Sequence, residues 1–405
     1  MASQELPLNE ASKQVHSRSK STTSLVVPLP EEASDNEQIL KALNDMYSPV
    51  LRLMKIFGSY YGQTNLRQLE NMPTGKHIFS RMYCGLMMSF ICFNVVTSAS
   101  VIFNSGLAYT FLMYAVGHLL MLICGITSLV LLPLTRTKKS RFERFLRCLL
   151  TNVKSTNLNF VKKESRKALF ITCFLSLFTI FFTFVCSEIL GISISCCEPW
   201  STWSGFRVFA FFSSLTGCAV WLLSTFFFCL TCIILVKCFD DFYQRMSSLP
   251  PLPIDFLSLK MEYHKLSEVV ELADKMLAPT LFGIIAIFIP LLCISFYNTF
   301  ILIEGTDPLT LVMNLNWCLV ATTILAIALF FGSKVSEKIH TFQKTLQTLP
   351  ISASEEGKVL MLLFDLYGEP KGLSIGGLVV ITKSTSLTIV GVTVSYFAVM
   401  LSLPR

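Results

Sequence analysis

Residues 206–236 read FRVFAFFSSLTGCAVWLLSTFFFCLTCIILV, and Arg207 is the one charged side chain among them. A helix needs roughly 20 apolar residues to cross a hydrocarbon core of about 30 Å. This stretch is longer than that, so it predicts a membrane-spanning helix that tilts or continues beyond the bilayer. The whole chain agrees, because 53% of its 405 residues are hydrophobic and 15% are charged, against about 25% charged in soluble domains.

Other apolar runs of similar length, rich in Leu, Ile, Val, Phe, Ala and Met, flank this stretch. Each is long enough to cross a bilayer as a helix. We therefore predict an all-α membrane protein with seven transmembrane helices, at 82–103, 109–134, 168–192, 206–236, 278–303, 309–332 and 376–403.

The chain divides into four segments around these runs. Residues 1–35 are polar and Ser-rich, which predicts a disordered cytoplasmic tail. Residues 36–81 carry apolar side chains at three- and four-residue spacing, which predicts a helical segment that rests on the membrane or packs on the bundle. Helices 1 to 6 and their cytoplasmic extensions occupy 82–375, and the last helix occupies 376–405.

Lysine and arginine alternate between the connecting segments. Nine precede the first run, eleven lie between runs 2 and 3, and five lie in each of the next two alternate connections, whereas the remaining connections contain none. The positive-inside rule therefore puts the N-terminus in the cytoplasm and the C-terminus outside. The net charge of +7 follows this topology, so no nucleic-acid partner is expected.

This orientation excludes a G-protein-coupled receptor, whose seven helices run in the opposite sense. Neither an Asp/Glu-Arg-Tyr triplet after run 3 nor an Asn-Pro-x-x-Tyr motif in run 7 is present. On the predicted cytoplasmic side, residues 255–277, 333–348 and 355–367 have amphipathic helical patterns. Their apolar stripes either pack within the subunit or form an assembly domain that joins several copies.

Three stretches carry a family resemblance. The pattern from Ile254 and Asp255 through His264, Lys265 and Leu266 to Val270, Glu271, Asp274 and Pro279 resembles the segment before span 5 of gustatory receptors. Gly376, Gly377, Thr382 and Gly391 resemble the spacing of the last span. The end, 395–403, is similar to the pattern Thr-Tyr, five apolar residues, Gln-Phe, with Ser395, Ser402 and Leu403 departing from it. The chain thus resembles the invertebrate gustatory and odorant receptor superfamily.

The resemblance implies a multi-pass chemosensory receptor of the plasma membrane that acts as a ligand-gated, non-selective cation channel. It also implies a homo- or hetero-tetramer whose central pore is lined by the last span and whose cytoplasmic ends form an anchor. The gate of the odorant co-receptor, a ring of Val and Leu, matches Val399 and Leu403 here, and Ser402, Ser395 and Tyr396 fall on the same pore segment.

The last span is unusually polar for a helix in lipid, which favours pore lining. Alternatively, its hydroxyls bond their own backbone, and Lys383 either snorkels to the interface or tunes ion passage. The polar residues are Thr382, Lys383, Ser384, Thr385, Ser386, Thr388, Thr393 and Ser395.

By the same resemblance, a small-molecule ligand is expected in the outer half of the bundle, among spans 2 to 6. Glu188 is the preferred contact, because acids within a membrane are costly unless functional or close to the headgroups. The aromatic candidates are alternatively plain packing, and His118 a hydrogen-bonding residue of the bundle. The full candidate lining is Tyr109, Tyr114, His118, Phe184, Glu188, Phe211, Phe296, Tyr297 and Trp317.

Three other classes of protein compete with a channel. A seven-span zinc hydrolase needs several intramembrane histidines, whereas only His118 of the five histidines lies within a run, and no phosphate-binding loop is present. No enzyme activity and no cofactor are therefore expected. A secondary transporter and a receptor-like protein with a trafficking or developmental role remain alternatives; matching helix breaks, typical of transporters, do not stand out.

Overall fold

A computed structural model of the chain describes residues 30–66, 74–105, 109–133, 140–152, 163, 170, 174, 178, 181–182, 204–247, 256–301, 308–348, 357, 360 and 371–402. The helices are α1 (Pro30–Ile56), α2 (Thr74–Ser105), α3 (Tyr109–Leu131), α4 (Arg141–Asn152), α5 (Ser204–Ser247), α6 (Phe256–Ile301), α7 (Pro308–Thr348) and α8 (Lys383–Ser402). A short hairpin precedes α8 and consists of two strands of two residues each, β1 (Ser374–Ile375) and β2 (Val379–Val380).

Five helical stretches within the described residues are long and apolar enough to cross a membrane, and they coincide with five predicted runs. They are Lys76–Thr97, Phe211–Ser247, Phe256–Phe300, Asn314–Phe342 and Lys383–Ser402. The run at 109–134 contains a shorter apolar helix, Ala115–Leu131. The run at 168–192 lies outside the described residues, apart from five phenylalanines, Phe170, Phe174, Phe178, Phe181 and Phe182, each helical.

Helix α1 packs inside the bundle. It begins at Pro30, within the segment predicted to be disordered, because proline suits a first helical position and Glu31 and Glu32 complement the positive helix end. Its Tyr47 ring lies 5.2 Å from Phe142 of α4 and 5.3 Å from Phe227 of α5. The apolar stripe of α1 therefore packs on the bundle, which is one of the two alternatives that the sequence left open.

Helix α6 contains Pro279, whose ring nitrogen has no hydrogen to donate to the carbonyl of Lys275 one turn earlier. The guanidinium of Arg141, at the start of α4, donates to that carbonyl oxygen instead. The helix thus accommodates a proline because a neighbouring helix satisfies the acceptor that the proline leaves open.

The ends of α5, α6 and α7 that lie beyond the runs predicted from sequence, 206–236, 278–303 and 309–332, pack against one another. Phe342 of α7 stacks on Tyr263 of α6 at 4.5 Å and contacts Phe242 of α5 at 5.4 Å. Ion pairs join Arg245 to Glu262 and Lys338 to Asp240 around these rings. The apolar stripes of 255–277 and 333–348 are therefore buried within this chain, apart from the exposed Leu257, whereas 355–367 lies outside the described residues apart from Gly357 and Leu360.

The last helix begins at Lys383 rather than at Gly376. Gly376 and Gly377 have positive φ angles of 64° and 79°, which form the tight turn between β1 and β2 instead of a helix. The hydroxyl of Thr382 then accepts a hydrogen bond from the amide of Thr385 at 3.1 Å, which caps the new helix.

Candidate functional site

Helix α8 has no buried side chain, although it is twenty residues long. One side of it touches the rest of the subunit. There, the Phe397 ring lies 5.4 Å from Phe296 and 5.8 Å from Phe300 of α6, and the Cys293 thiol approaches the Thr393 carbonyl at 3.7 Å. The half-buried residues Ile389, Thr393, Phe397 and Met400 recur at helical spacing and define this seam.

The opposite side of α8 carries small and hydroxyl side chains. We call it the hydroxyl face, and its members are all exposed and recur every three or four residues, which places them in one row along the helix. They are Ser384, Thr388, Gly391, Ser395, Val399 and Ser402. The helix bundle of this chain therefore leaves the hydroxyl face of α8 uncovered.

Hydroxyls on α8 donate to carbonyl oxygens of the preceding turn. Thr388 donates to Ser384 at 3.0 Å, Ser395 to Gly391 at 2.9 Å and Ser402 to Val399 at 2.7 Å. The local-bonding alternative raised from the sequence is thus present for these groups. Because each proton points back to the helix, the oxygen lone pairs remain available to whatever lies outside.

The predicted gate and pore residues fall on this helix. Val399 and Tyr396 are 58% and 59% exposed, and Ser395 and Ser402 are exposed with them. Val399 shares the hydroxyl face with both serines, whereas Tyr396 lies to one side of it. Leu403 lies outside the described residues.

Two polar contacts hold the beginning of α8. The Lys383 ammonium pairs with Glu337 of α7 at 2.7 Å, and both side chains are exposed. Before the helix, the Asp274 carboxylate of α6 accepts hydrogen bonds from the Ser374 amide and from its hydroxyl, the latter at 2.8 and 2.9 Å. The Gly376 amide donates to Ala278 at 3.1 Å, so the hairpin is fastened directly to α6.

Five of the predicted ligand contacts are described with their side chains, and they lie on four different helices. His118 of α3 and Tyr297 of α6 are buried, while Phe211 of α5 and Trp317 of α7 are half-buried. Phe296, another candidate, belongs to the seam with Phe397. Tyr109 and Tyr114 lie on α3, but their side chains are outside the described set, as are Phe184 and Glu188 altogether.

Buried amides within the apolar helices were missed by the sequence reasoning. Both amide atoms of Asn298 are buried without a hydrogen-bond partner among the described residues, and so is the indole nitrogen of Trp317. Asn94 and Asn316 each bury an amide nitrogen in the same way. The available signal was an amide inside an apolar run, since polar groups within a membrane are costly and often functional.

No cluster of three or more His, Cys, Asp or Glu side chains suited to a metal occurs in the described part of the chain. The free thiols that the structure describes are mostly buried among apolar side chains, where cysteine behaves as a small hydrophobe.

Comparison with known proteins gives one family and one fold. Residues 47–401 match the family described as 7tm Chemosensory receptor. The solved insect olfactory receptor OR5 from Machilis hrabei is 12% identical, with a TM-score of 0.68 over 91% of this chain and 100% of that one. The same receptor in complex with eugenol gives 12% identity and a TM-score of 0.66 over 92% of this chain and 100% of that one. None of the curated proteins matches.

Proposed function

The chain belongs to the 7tm chemosensory receptor family, and we propose that it is a ligand-gated, non-selective cation channel built from four subunits. The last helix of each subunit, α8, lines the central pore. The N-terminus lies in the cytoplasm and the C-terminus outside, as the distribution of Lys and Arg requires. The packed ends of α5, α6 and α7 form the cytoplasmic anchor of the assembly.

The observation that carries this proposal is the hydroxyl face of α8. If the subunit stood alone in a bilayer, Ser384, Thr388 and Ser395 would face hydrocarbon, although polar side chains in membranes normally face protein or water. A central water-filled path bounded by the same helix of neighbouring subunits gives this row an aqueous environment.

The chemistry of the row suits cations. Its hydroxyl protons are directed to backbone carbonyls, as at Thr388 and Ser395, so the oxygens present lone pairs to the pore. Such oxygens attract cations although the hydroxyl face itself carries no fixed charge. This agrees with weak selectivity among cations. Val399, and Leu403 four residues later in the sequence, are proposed to narrow the path with apolar side chains that close it by excluding water.

The ligand that opens the channel is a small organic molecule. The related OR5 receptor was solved with eugenol, an aromatic molecule with polar substituents. In this chain Phe211, Tyr297 and Trp317, with His118, supply aromatic walls, and Asn298 supplies unmet hydrogen-bonding groups. Phe184, Glu188 and Tyr114 complete the proposed lining.

Cysteine accessibility tests the pore directly. Ser395→Cys places a thiol on the hydroxyl face, and Val394→Cys places one on an equally exposed neighbouring position off that face. A charged, water-soluble thiol reagent added during agonist-evoked whole-cell current is expected to reduce the current of Ser395→Cys and leave Val394→Cys and the wild type unchanged.

If both cysteines were modified equally, or neither were modified in a conducting receptor, α8 would not line the pore. Particle images showing four copies around an axis test the stoichiometry independently. Ligand-dependent flux without current would favour a transporter instead.

A further inference from the structure

Three basic side chains converge where α1 ends and α2 begins. The Arg81 guanidinium lies over the Tyr61 ring, 5.1 Å from its centre, and the His77 ring meets the same ring edge-on at 5.3 Å. The Lys55 ammonium donates to the carbonyl of Gly62, the next residue, at 3.4 Å. Tyr61 and Gly62 therefore hold Lys55, His77 and Arg81 around one small region, which we call the basic cluster.

The basic cluster has no counter-charge within the described residues. None of the ion pairs found there involves its members, and the first turn of α2 contains no acidic side chain. The His77 Nε2 atom is buried without a hydrogen-bond partner among those residues. Burial also lowers the pKa of Lys55, so a nearby anion would stabilise its charged form.

Exposed apolar side chains adjoin the cluster. Ile78, three residues before Arg81 and therefore its neighbour on the surface of α2, is 55% exposed, and Met82, one turn after Ile78, is 70% exposed. They lie at the beginning of the first apolar stretch, Lys76–Thr97, where a membrane-spanning helix meets the headgroup layer. The same surface thus offers positive charge at headgroup depth and an apolar strip beside it.

We propose that the basic cluster binds the headgroup of an anionic phospholipid in the cytoplasmic leaflet, with an acyl chain lying along Ile78 and Met82. Arginine and lysine donate hydrogen bonds to phosphate oxygens, and basic sites between or beside transmembrane helices bind anionic headgroups. The site rests on the cytoplasmic orientation of the N-terminus that we propose above, and it does not require that the protein conduct ions.

Native mass spectrometry of the detergent-purified full-length receptor tests the site, because it resolves bound phosphatidylserine from phosphatidylcholine by mass. Wild-type protein is expected to prefer phosphatidylserine. In Lys55→Gln/Arg81→Gln the apparent Kd for phosphatidylserine should rise about 30-fold, since each basic residue near the headgroups contributes roughly fivefold. The control Lys41→Gln/Lys265→Gln removes the same charge from exposed positions elsewhere and should bind as the wild type does.

Further measurements distinguish loss of the site from loss of folding, and a lipid ligand from free phosphate. Arg81→Lys keeps the charge and should retain most of the binding, and unfolding temperatures report whether each variant is folded. Inorganic phosphate should compete weakly, because it lacks the acyl chains that meet the apolar strip.

Equal loss in the control double variant, or unchanged binding in Lys55→Gln/Arg81→Gln, would overturn the proposal. Full competition by inorganic phosphate would show a phosphate site rather than a lipid site, and would overturn it too. Because this measurement needs no current, its failure would leave the proposed channel untouched, and a non-conducting protein could still bind the lipid.

Discussion

At the scale of single residues, Asn298 is a buried amide whose hydrogen-bonding groups are not satisfied by the described residues around it. Its oxygen and nitrogen are both buried in α6 without a partner among the described residues. Leaving a buried polar group unpaired costs roughly 1–3 kcal/mol. A bundle that keeps such a residue sacrifices stability, which is expected where a ligand supplies the missing hydrogen bonds.

Asn298→Leu is therefore expected to stabilise the receptor and weaken its response. The similar side-chain volume preserves packing while the unmet amide disappears, so the free energy of unfolding should rise by about 1 kcal/mol or more. Agonists that offer a hydrogen-bonding group should need higher concentrations to open the channel. Thermal unfolding of purified protein and agonist dose–response curves measure the two effects.

Thr299→Val is the matched control for this prediction. The Thr299 hydroxyl already donates to the Ser295 carbonyl at 2.8 Å, so its removal deletes a satisfied group at the neighbouring position. It should lower stability slightly and leave agonist potency unchanged. A destabilised Asn298→Leu variant with normal potency would show that the amide has a structural partner.

At the scale of elements, α8 is a helix attached along one seam and free on the other sides. Phe397 supplies the aromatic contacts of that seam, whereas the adjacent Tyr396 is 59% exposed and belongs to the free surface. Two neighbouring aromatic residues thus lie on different surfaces of α8. Substituting them one at a time separates the packing of α8 on its own chain from the function of its exposed surface.

Phe397→Ala is expected to loosen α8 from its own subunit. Two ring contacts, each worth about 0.5–1.5 kcal/mol beyond simple burial, are lost together. Faster proteolysis near the C-terminus and a lower unfolding temperature should follow. Tyr396→Ala should leave the proteolysis rate and the unfolding temperature near wild type and change channel conductance or assembly. A larger effect of Tyr396→Ala than of Phe397→Ala on these two measurements would contradict the seam.

The hairpin before α8 depends on one carboxylate. Asp274→Ala removes the acceptor for the amide and hydroxyl of Ser374, and bonds to a charged group contribute about 1.5–3 kcal/mol. We expect faster hydrogen exchange of residues 371–382 and a shifted agonist response, because the turn links α6 to the last helix.

Glu271→Gln is the matched control one turn earlier on α6. Glu271 pairs with Lys275, and both side chains are exposed, so the pair contributes little. Its removal should leave exchange of the hairpin unchanged. Equal protection in Asp274→Ala and wild type would mean that the Gly376–Ala278 hydrogen bond and packing hold the hairpin without the carboxylate.

At the scale of the whole molecule, hydrophobic run length predicted most of the helices, because the bilayer sets a length that sequence records directly. It did not locate the start of α8, since Gly376, Gly377 and Thr382 act through turn and cap geometry rather than hydrophobicity. Nor did it decide between the membrane surface and the helix bundle for α1, because an apolar stripe looks the same whether lipid or protein covers it.

The pore candidates came from the family pattern, and their shared exposure on α8 required the structure. Which amides are left unpaired depends on contacts between distant segments, as at Asn298, and no local spacing encodes them. The Asp274–Ser374 contact spans one hundred residues of sequence for the same reason.

Epitope tags at the two ends test the proposed orientation of the whole chain. In intact cells, an antibody should label a C-terminal tag and reach an N-terminal tag only after the membrane is permeabilised. The alternation of basic residues between connections supplies the physical reason. Labelling of the N-terminal tag in intact cells would show the opposite topology and would contradict the proposed pore.

Because α8 buries none of its side chains within its own subunit, its free surface is under little pressure from folding. After gene duplication, mutations there can accumulate without unfolding either copy, since most destabilising changes arise in buried cores. Natural selection can then retune this surface in one lineage while the rest of the scaffold stays fixed. Rapid divergence of physiology on a slowly changing framework is the evolutionary outcome that this helix permits.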